Sequence, residues 1–166
     1  MRTKAGFILK VMSAGFFLGM GGCALFSVEA PPEKNANIKF TNPQEPFRKI
    51  DESTADSIWQ SMKTGNTIAI NSSCTKDEGS IKKMEDSILS GVENLKSRKT
   101  QKIQIDDVGA DRIHAEGTTD GIKVAIDLVE MRKGDCMYDL AYVARLSSFA
   151  EEIDLFDQFL KGFHAP

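Results

Sequence analysis

Two hydrophobic periods alternate along this chain, and the switches between them predict its elements. Thr67-Ile68-Ala69-Ile70-Asn71 follows a Gly65-Asn66 turn signal and alternates with period two, which predicts a half-buried strand. After Gly79 the period lengthens. Ile81, Met84, Ile88, Val92 and Leu95 recur at helical spacing opposite Lys82, Lys83 and Glu85, with Ser80 as the expected N-cap. From Lys102 the period returns to two, through Ile103 and Ile105, and Val108-Gly109-Ala110 is expected to turn the chain. Ile113, Ala115 and Gly117 then face one side, and Arg112, His114 and Glu116 the other. Asp120-Gly121 is a hairpin signal, because a type I′ turn needs positive φ at both central residues. Ile122, Val124, Ile126 and Leu128 alternate on the return strand, and Lys133-Gly134-Asp135 turns the chain into a further strand over Cys136 to Val143. Ser148-Phe149-Ala150-Glu151 matches a capping box. It opens a helix whose stripe of Phe149, Ile153, Phe156, Leu160 and Phe163 suits docking on a sheet, with Gly162 as its stop.

The order strand, helix, three or four antiparallel strands, helix predicts an α+β fold: an antiparallel β-sheet meander covered by two main helices. Upstream, Ser53-Thr54-Ala55-Asp56 offers capping oxygens, so a short helical turn is expected between Asp51 and Met62, with Trp59 packed on the sheet edge. Residues 24–48 hold Pro31, Pro32, Pro43 and Pro46 among polar residues, which predicts an extended, largely unpaired tether, with Ile38-Lys39-Phe40 as a short edge strand. The chain therefore divides into a leader (1–22), a tether beginning at a cysteine (23–48) and one domain (49–166).

The leader changes the compartment. Arg2 and Lys4 precede a mostly apolar run from Phe7 to Leu18, the pattern of a secretory signal. Met20-Gly21-Gly22-Cys23 closes it and resembles the lipobox of bacterial lipoproteins, in which the cysteine is acylated and becomes the mature N-terminus. Ala24 rather than Asp follows, which that resemblance associates with the outer membrane and a periplasm-facing domain. Cleavage near Val28-Glu29-Ala30 and an uncleaved anchor over Val11 to Val28 are the competing readings. Loss of residues 1–22 removes three basic side chains and leaves 18 basic against 24 acidic, a balance of -6. That charge disfavours nucleic acid as a partner. Lys96-Ser97-Arg98-Lys99 is expected to be a solvated loop between helix and strand.

Once Cys23 is acylated, Cys74 and Cys136 remain as a pair, which outside the cytoplasm is most simply a disulfide clamping the first core strand to the last. No C-x-x-C supports redox activity. His114 and His164 lack ligand spacing, Asp106, Asp107 and Asp111 fail the calcium-loop pattern, and Ser72 and Ser73 lack a nucleophile setting, so no metal, cofactor or catalytic set is expected. Trp59, Tyr138, Tyr142 and Phe156 are the candidates for a ligand or partner surface, including an apolar pocket between sheet and closing helix.

From Trp59 through Phe163 the order of elements is similar to the PsbP-like superfamily, the α/β layer fold also seen in DcrB-type bacterial lipoproteins. The likeness rests on Trp59 before the Gly-Asn turn, the Ile68/Ile70 strand, the Ser80 helix, the Asp120-Gly121 hairpin, the Tyr138 to Val143 strand and the closing Phe159-Leu160-Lys161-Gly162-Phe163. It implies a non-enzymatic accessory or assembly role: a lipid-anchored module that binds another envelope protein. A carrier of a small apolar ligand is the alternative expectation.

Overall fold

The computed structural model describes residues 33–50, 55–74, 85–86 and 88–166. The leader, Cys23 and Ser80 lie outside them. The alternating stretches form strands β1 (Lys39–Phe40), β2 (Phe47–Ile50), β3 (Ser57–Ser61), β4 (Thr67–Cys74), β5 (Glu93–Ile105), β6 (Val108–Thr119), β7 (Ile122–Lys133), β8 (Cys136–Arg145) and β9 (Phe163–His164). Helix α1 is described at residues 85–86 and 88–90, and helix α2 spans Phe149–Lys161. Seven strands make one antiparallel sheet in the order β2-β3-β4-β8-β7-β6-β5, and β1 pairs separately with β9. The meander from β5 to β8 is joined by tight turns. Between β4 and β5 the chain passes from beside β8 to the far edge of the sheet, with α1 in the connection.

Both faces of the central strands are covered. On one face Val129, Met131, Tyr138, Leu140 and Tyr142 pack with Phe156, Phe159, Leu160 and Phe163 at the closing end of the chain. On the other, Ile113, Ile126, Leu128 and Ala141 pack with Ile88, Leu89 and Val92. Residues one apart on a strand point to opposite faces, so Leu140 and Ala141 belong to different clusters. The result is an α+β fold, an antiparallel sheet with helices on its faces. No helix among the described residues is long and apolar enough to cross a membrane.

Several local expectations change. Trp59 lies in β3, paired opposite Ile68, and not in a helical turn; Ser53 and Thr54 fall outside the described residues. Residues 33–48, expected as unpaired tether, belong to the domain: β1 and β2 pair with β9 and β3, and Glu33 bridges to Cys74. The edge strand expected at Ile38-Lys39-Phe40 is β1. Lys96-Ser97-Arg98-Lys99 is strand, and Leu95 stands 45 % exposed on it instead of extending the apolar face of α1. The reversal between β5 and β6 falls at Asp106-Asp107, whose φ values of 50 and 60° are a conformation that Asp tolerates. Gly109 pairs across the ladder with Gln104. Asp120 and Gly121 do take positive φ, 50 and 76°. Ser148 makes no side-chain cap at α2. Gly162 ends α2 as expected but without positive φ; a Cβ there would lie 3.0 Å from Thr41 Cβ and Oγ1.

Gly117 answers a different constraint. It sits in β6 beneath the chain leaving α1, where a Cβ would fall on Val92 Cγ1 and 2.7 Å from the backbone oxygen of Glu93. Only a residue without a side chain lets that backbone approach. Gly117→Ala is expected to lose about 1–3 kcal/mol in chemical unfolding, by forcing Val92 and Glu93 off the sheet. Gly109→Ala, with nothing within 4 Å of the new Cβ, serves as the control and should unfold close to the parent.

Candidate functional site

One end of the sheet is tied by a covalent and polar clasp. Cys74 and Cys136 stand directly opposite in the β4–β8 register and form a disulfide, 62 residues apart in sequence. The amide of Cys74 donates to Glu33 O at 2.8 Å. The Asn35 amide donates to Ser72 Oγ at 2.8 Å, and Asn35 Nδ2 donates to Tyr138 Oη at 2.8 Å. Ser72 in turn donates to Asp56 Oδ2 at 2.6 Å, and Lys34 pairs with Asp56 Oδ1 at 3.1 Å. Ser72 is therefore committed to structure. Ser73 is buried beside it, and His114 lies three strands away on β6, edge-on to the Phe149 ring at 5.0 Å. Three strand spacings separate β4 from β6, roughly 14 Å, beyond the reach of a base for its nucleophile.

The four aromatic candidates are interior. Trp59 is 2 % exposed, and Tyr138, Tyr142 and Phe156 are 0 % exposed. Trp59 lies between Phe40 and Phe159 with ring centres 5.3 and 5.4 Å away. Tyr142 stacks on Phe156 at 5.8 Å, and Tyr138 meets Phe163 edge-on at 5.8 Å. None of the four lines either of the two principal clefts on the described surface. The expectation of an apolar pocket between sheet and helix fails at these residues because they pack on one another and on the ends of the chain.

A polar knot beside them was not legible in the sequence. Glu152 of α2, 2 % exposed, accepts from Ser61 Oγ at 2.7 Å, Thr64 Oγ1 at 2.6 Å and Asn66 Nδ2 at 2.9 Å. Asn66 Nδ2 also donates to Tyr142 Oη at 2.9 Å, and Ser148 Oγ donates to Asn66 Oδ1 at 2.8 Å. Asn66 signals a turn in the sequence, yet it also docks α2. Ser148 turns its hydroxyl to Asn66 in place of the expected box with Glu151, which pairs instead with Lys63 at 2.9 Å.

The larger cleft, about 710 Å³, opens where the β5–β6 turn meets the end of α2. Its titratable lining comes from Asp106, Asp107, Arg112, Asp157, Lys161 and His164, with Gln104 beside them. His164 Nδ1 lies 2.9 Å from Asp106 Oδ1, and Lys133 Nζ lies 3.2 Å from Asp106 Oδ2. First the His164 hydrogen bond and then Lys133 hold the Asp106 carboxyl below its ordinary value. Arg112 is held by Asp127 Oδ2, at 2.9 Å from Nε, and by Asp157 Oδ1 at 2.8 Å. Among the described residues no Ser, Thr or Cys lines this cleft beside its His–Asp pair. Among the described residues no group of His, Cys, Asp and Glu is arranged to hold a metal ion.

On the opposite face, Glu130 and Asp139 sit directly across from one another on β7 and β8, 4 % and 2 % exposed. Glu130 Oε1 and both Asp139 carboxyl oxygens have no hydrogen-bond partner among the described residues. Burial pushes both carboxyls up to about 7, and Glu130 is raised further by Asp139 and Asp111. Unfolded, each would release its proton near pH 4. The native state therefore binds more protons between about pH 4 and about pH 7, and stability falls as pH rises through that window. Asp139→Asn, which mimics the protonated form, is expected to stabilise on the order of 2 kcal/mol at about pH 8 and to have no effect near pH 4. Urea unfolding at the two pH values checks it. Replacing Cys74 and Cys136 together by Ala is expected to cost about 4 kcal/mol in the same assay, from the loop the disulfide closes.

No protein-family model matches this sequence, and no curated protein matches it. Solved structures do, at low identity. LpqN, a Mycobacterium tuberculosis protein involved in cell envelope biogenesis, superposes with a TM-score of 0.59 at 14% identity, over 82% of this chain and 86% of its own. The cyanobacterial PsbP of Synechocystis gives 0.52 at 10% identity, over 89% of this chain and 99% of its own. A Pseudomonas aeruginosa protein of unknown function gives 0.52 at 10%, over 76% and 85%. Likeness at these identities concerns architecture alone, and by that architecture the chain has the PsbP-like fold.

Proposed function

We propose that this chain is a bacterial envelope lipoprotein, anchored through an acylated Cys23 and facing the periplasm from the outer membrane. Its domain binds another envelope protein as a non-enzymatic assembly or accessory module. The observation that carries this reading is the filled interior: the aromatic side chains that an apolar-ligand carrier would need at a pocket wall are in contact with one another. A carrier loses its lining, whereas a module that works through its surface loses nothing. Two further facts agree. The Cys74–Cys136 disulfide suits an oxidising compartment, and the fold is shared with a protein of envelope biogenesis.

Fractionation of cells carrying the parent and Cys23→Ser tests the anchor. The parent is expected in the membrane fraction with an acylated Cys23 at its mature N-terminus, and the variant in the soluble fraction. A mature protein beginning after Ala30 would remove the anchor. Chemical crosslinking in intact membranes, read by mass spectrometry, tests the module. It should capture one or a few envelope proteins in stoichiometric amount, and recovery of nothing above background counts against protein binding.

A further inference from the structure

The two edges of the seven-stranded sheet are unlike. β2, at one edge, is four residues long, while β5, at the other, has thirteen. At about 3.3 Å per residue β5 presents an edge of roughly 40 Å, exposed along most of its length. Among the described residues no strand pairs with its outer side. Its register with β6 is irregular between Glu93 and Ser97 and continuous from Ser97 to Ile105. A regular stretch of backbone N–H and C=O groups is thus left facing outward, without the proline or short length that usually blunts such an edge.

The side chains restrict what can add there. β5 carries Lys96, Arg98, Lys99 and Lys102 against Glu93 alone, on a chain whose overall charge is -3. Arg98 pairs with Glu85, and Lys102 pairs with Asp111 at 2.7 Å. Lys96 and Lys99 have no ion-pair partner among the described residues. A second copy pairing edge to edge would set these cations against the same cations, and like charges opposed across strands destabilise the pair. Lysine at an edge guards against self-association, and the same charge attracts an acidic strand. Half-exposed Leu95 adds an apolar foothold at one end.

We propose that the outer edge of β5, from Ser97 to Ile105, accepts an extended acidic segment of a partner protein as an added antiparallel or parallel strand. Backbone hydrogen bonds supply the affinity, and Lys96 and Lys99 select the charge. The biological use of this edge rests on the protein-binding reading above; its physical test does not.

The probe is a capped peptide of about eleven residues alternating Glu and Thr, titrated into the detergent-solubilised full chain. Binding is read by fluorescence anisotropy and mapped by amide hydrogen exchange. The expected result is slowed exchange confined to β5, lost when Lys replaces every Glu in the peptide or Pro replaces alternate Thr. Affinity should weaken about tenfold or more in Lys96→Glu/Lys99→Glu, and similarly when salt rises from about 0.05 to about 0.5 M. Both lysines are exposed, so this variant should melt with the parent; Lys96→Gln/Lys99→Gln should give an intermediate loss. Absence of protection in β5, protection on another strand, or concentration-dependent self-association that protects β5 without peptide each overturns the proposal. Capture of a partner in membranes with β5 left unprotected sinks the edge and keeps the module. Peptide binding with no captured partner does the reverse.

Discussion

Covering β7 and β8 on both faces is the constraint from which the rest of this structure follows. A sheet with one wet face can place its acids there; a sheet between two helices cannot. β7 is buried without a break from Val124 to Met131, so Asp127 and Glu130 lie inside, as does Asp139 on β8. The fold handles these acids differently. Asp127 faces Arg112, which also reaches Asp157 on α2, so an ion pair becomes a bond between sheet and helix. Glu130 and Asp139 face each other with Glu130 Oε1 and both Asp139 oxygens unpartnered among the described residues, and burial raises both carboxyls toward neutrality instead. Glu152, buried from the helix side, draws one donor from the end of β3 and two from the turn into β4. Each solution fixes a helix to the sheet or sets a condition on doing so.

What was legible was local. Alternation, tight turns and the apolar stripe of α2 each involve residues a few positions apart, and the meander with its two covering helices emerges from them. The disulfide was legible for a different reason: two thiols remain once Cys23 is set apart, and both fall at strand ends. What was not legible depends on partners far away in sequence. Asn66 and Glu152 are 86 residues apart, and neither carries a pattern that calls for the other. β3 resembled a helix start because Ser53-Thr54-Ala55-Asp56 supplies capping oxygens. Only pairing with β2 and β4 makes the following residues a strand. β5 was half hidden because an edge strand solvated on most sides needs no apolar alternation, and Lys96 to Lys99 read as a loop for that reason.

The aromatic candidates show how type alone misleads about role. Trp59, Tyr138, Tyr142 and Phe156 are the residues a binding surface would use, and equally those that fill the space between a sheet and a helix. The deciding information is what lies over them: Phe40 from β1, Phe163 from β9 and the length of α2. The interior is thereby filled, and among the described residues the unpaired edge of β5 and the larger polar cleft both lie toward the β5 side of the sheet.

The clasp around Glu33 has a mechanical consequence. Tension drawn along the backbone from the N-terminal side first meets the single Glu33–Cys74 bridge and the hydrogen bonds of Asn35, then the short β1–β9 ribbon. These are short pairings, one bridge and a two-residue ladder, against the eight to ten paired residues of the central strands. Beyond them β4 and β8 cannot separate at the Cys74–Cys136 end, because a covalent bond closes it. A pull from that side would free the residues up to β2 while the disulfide keeps β4 and β8 joined.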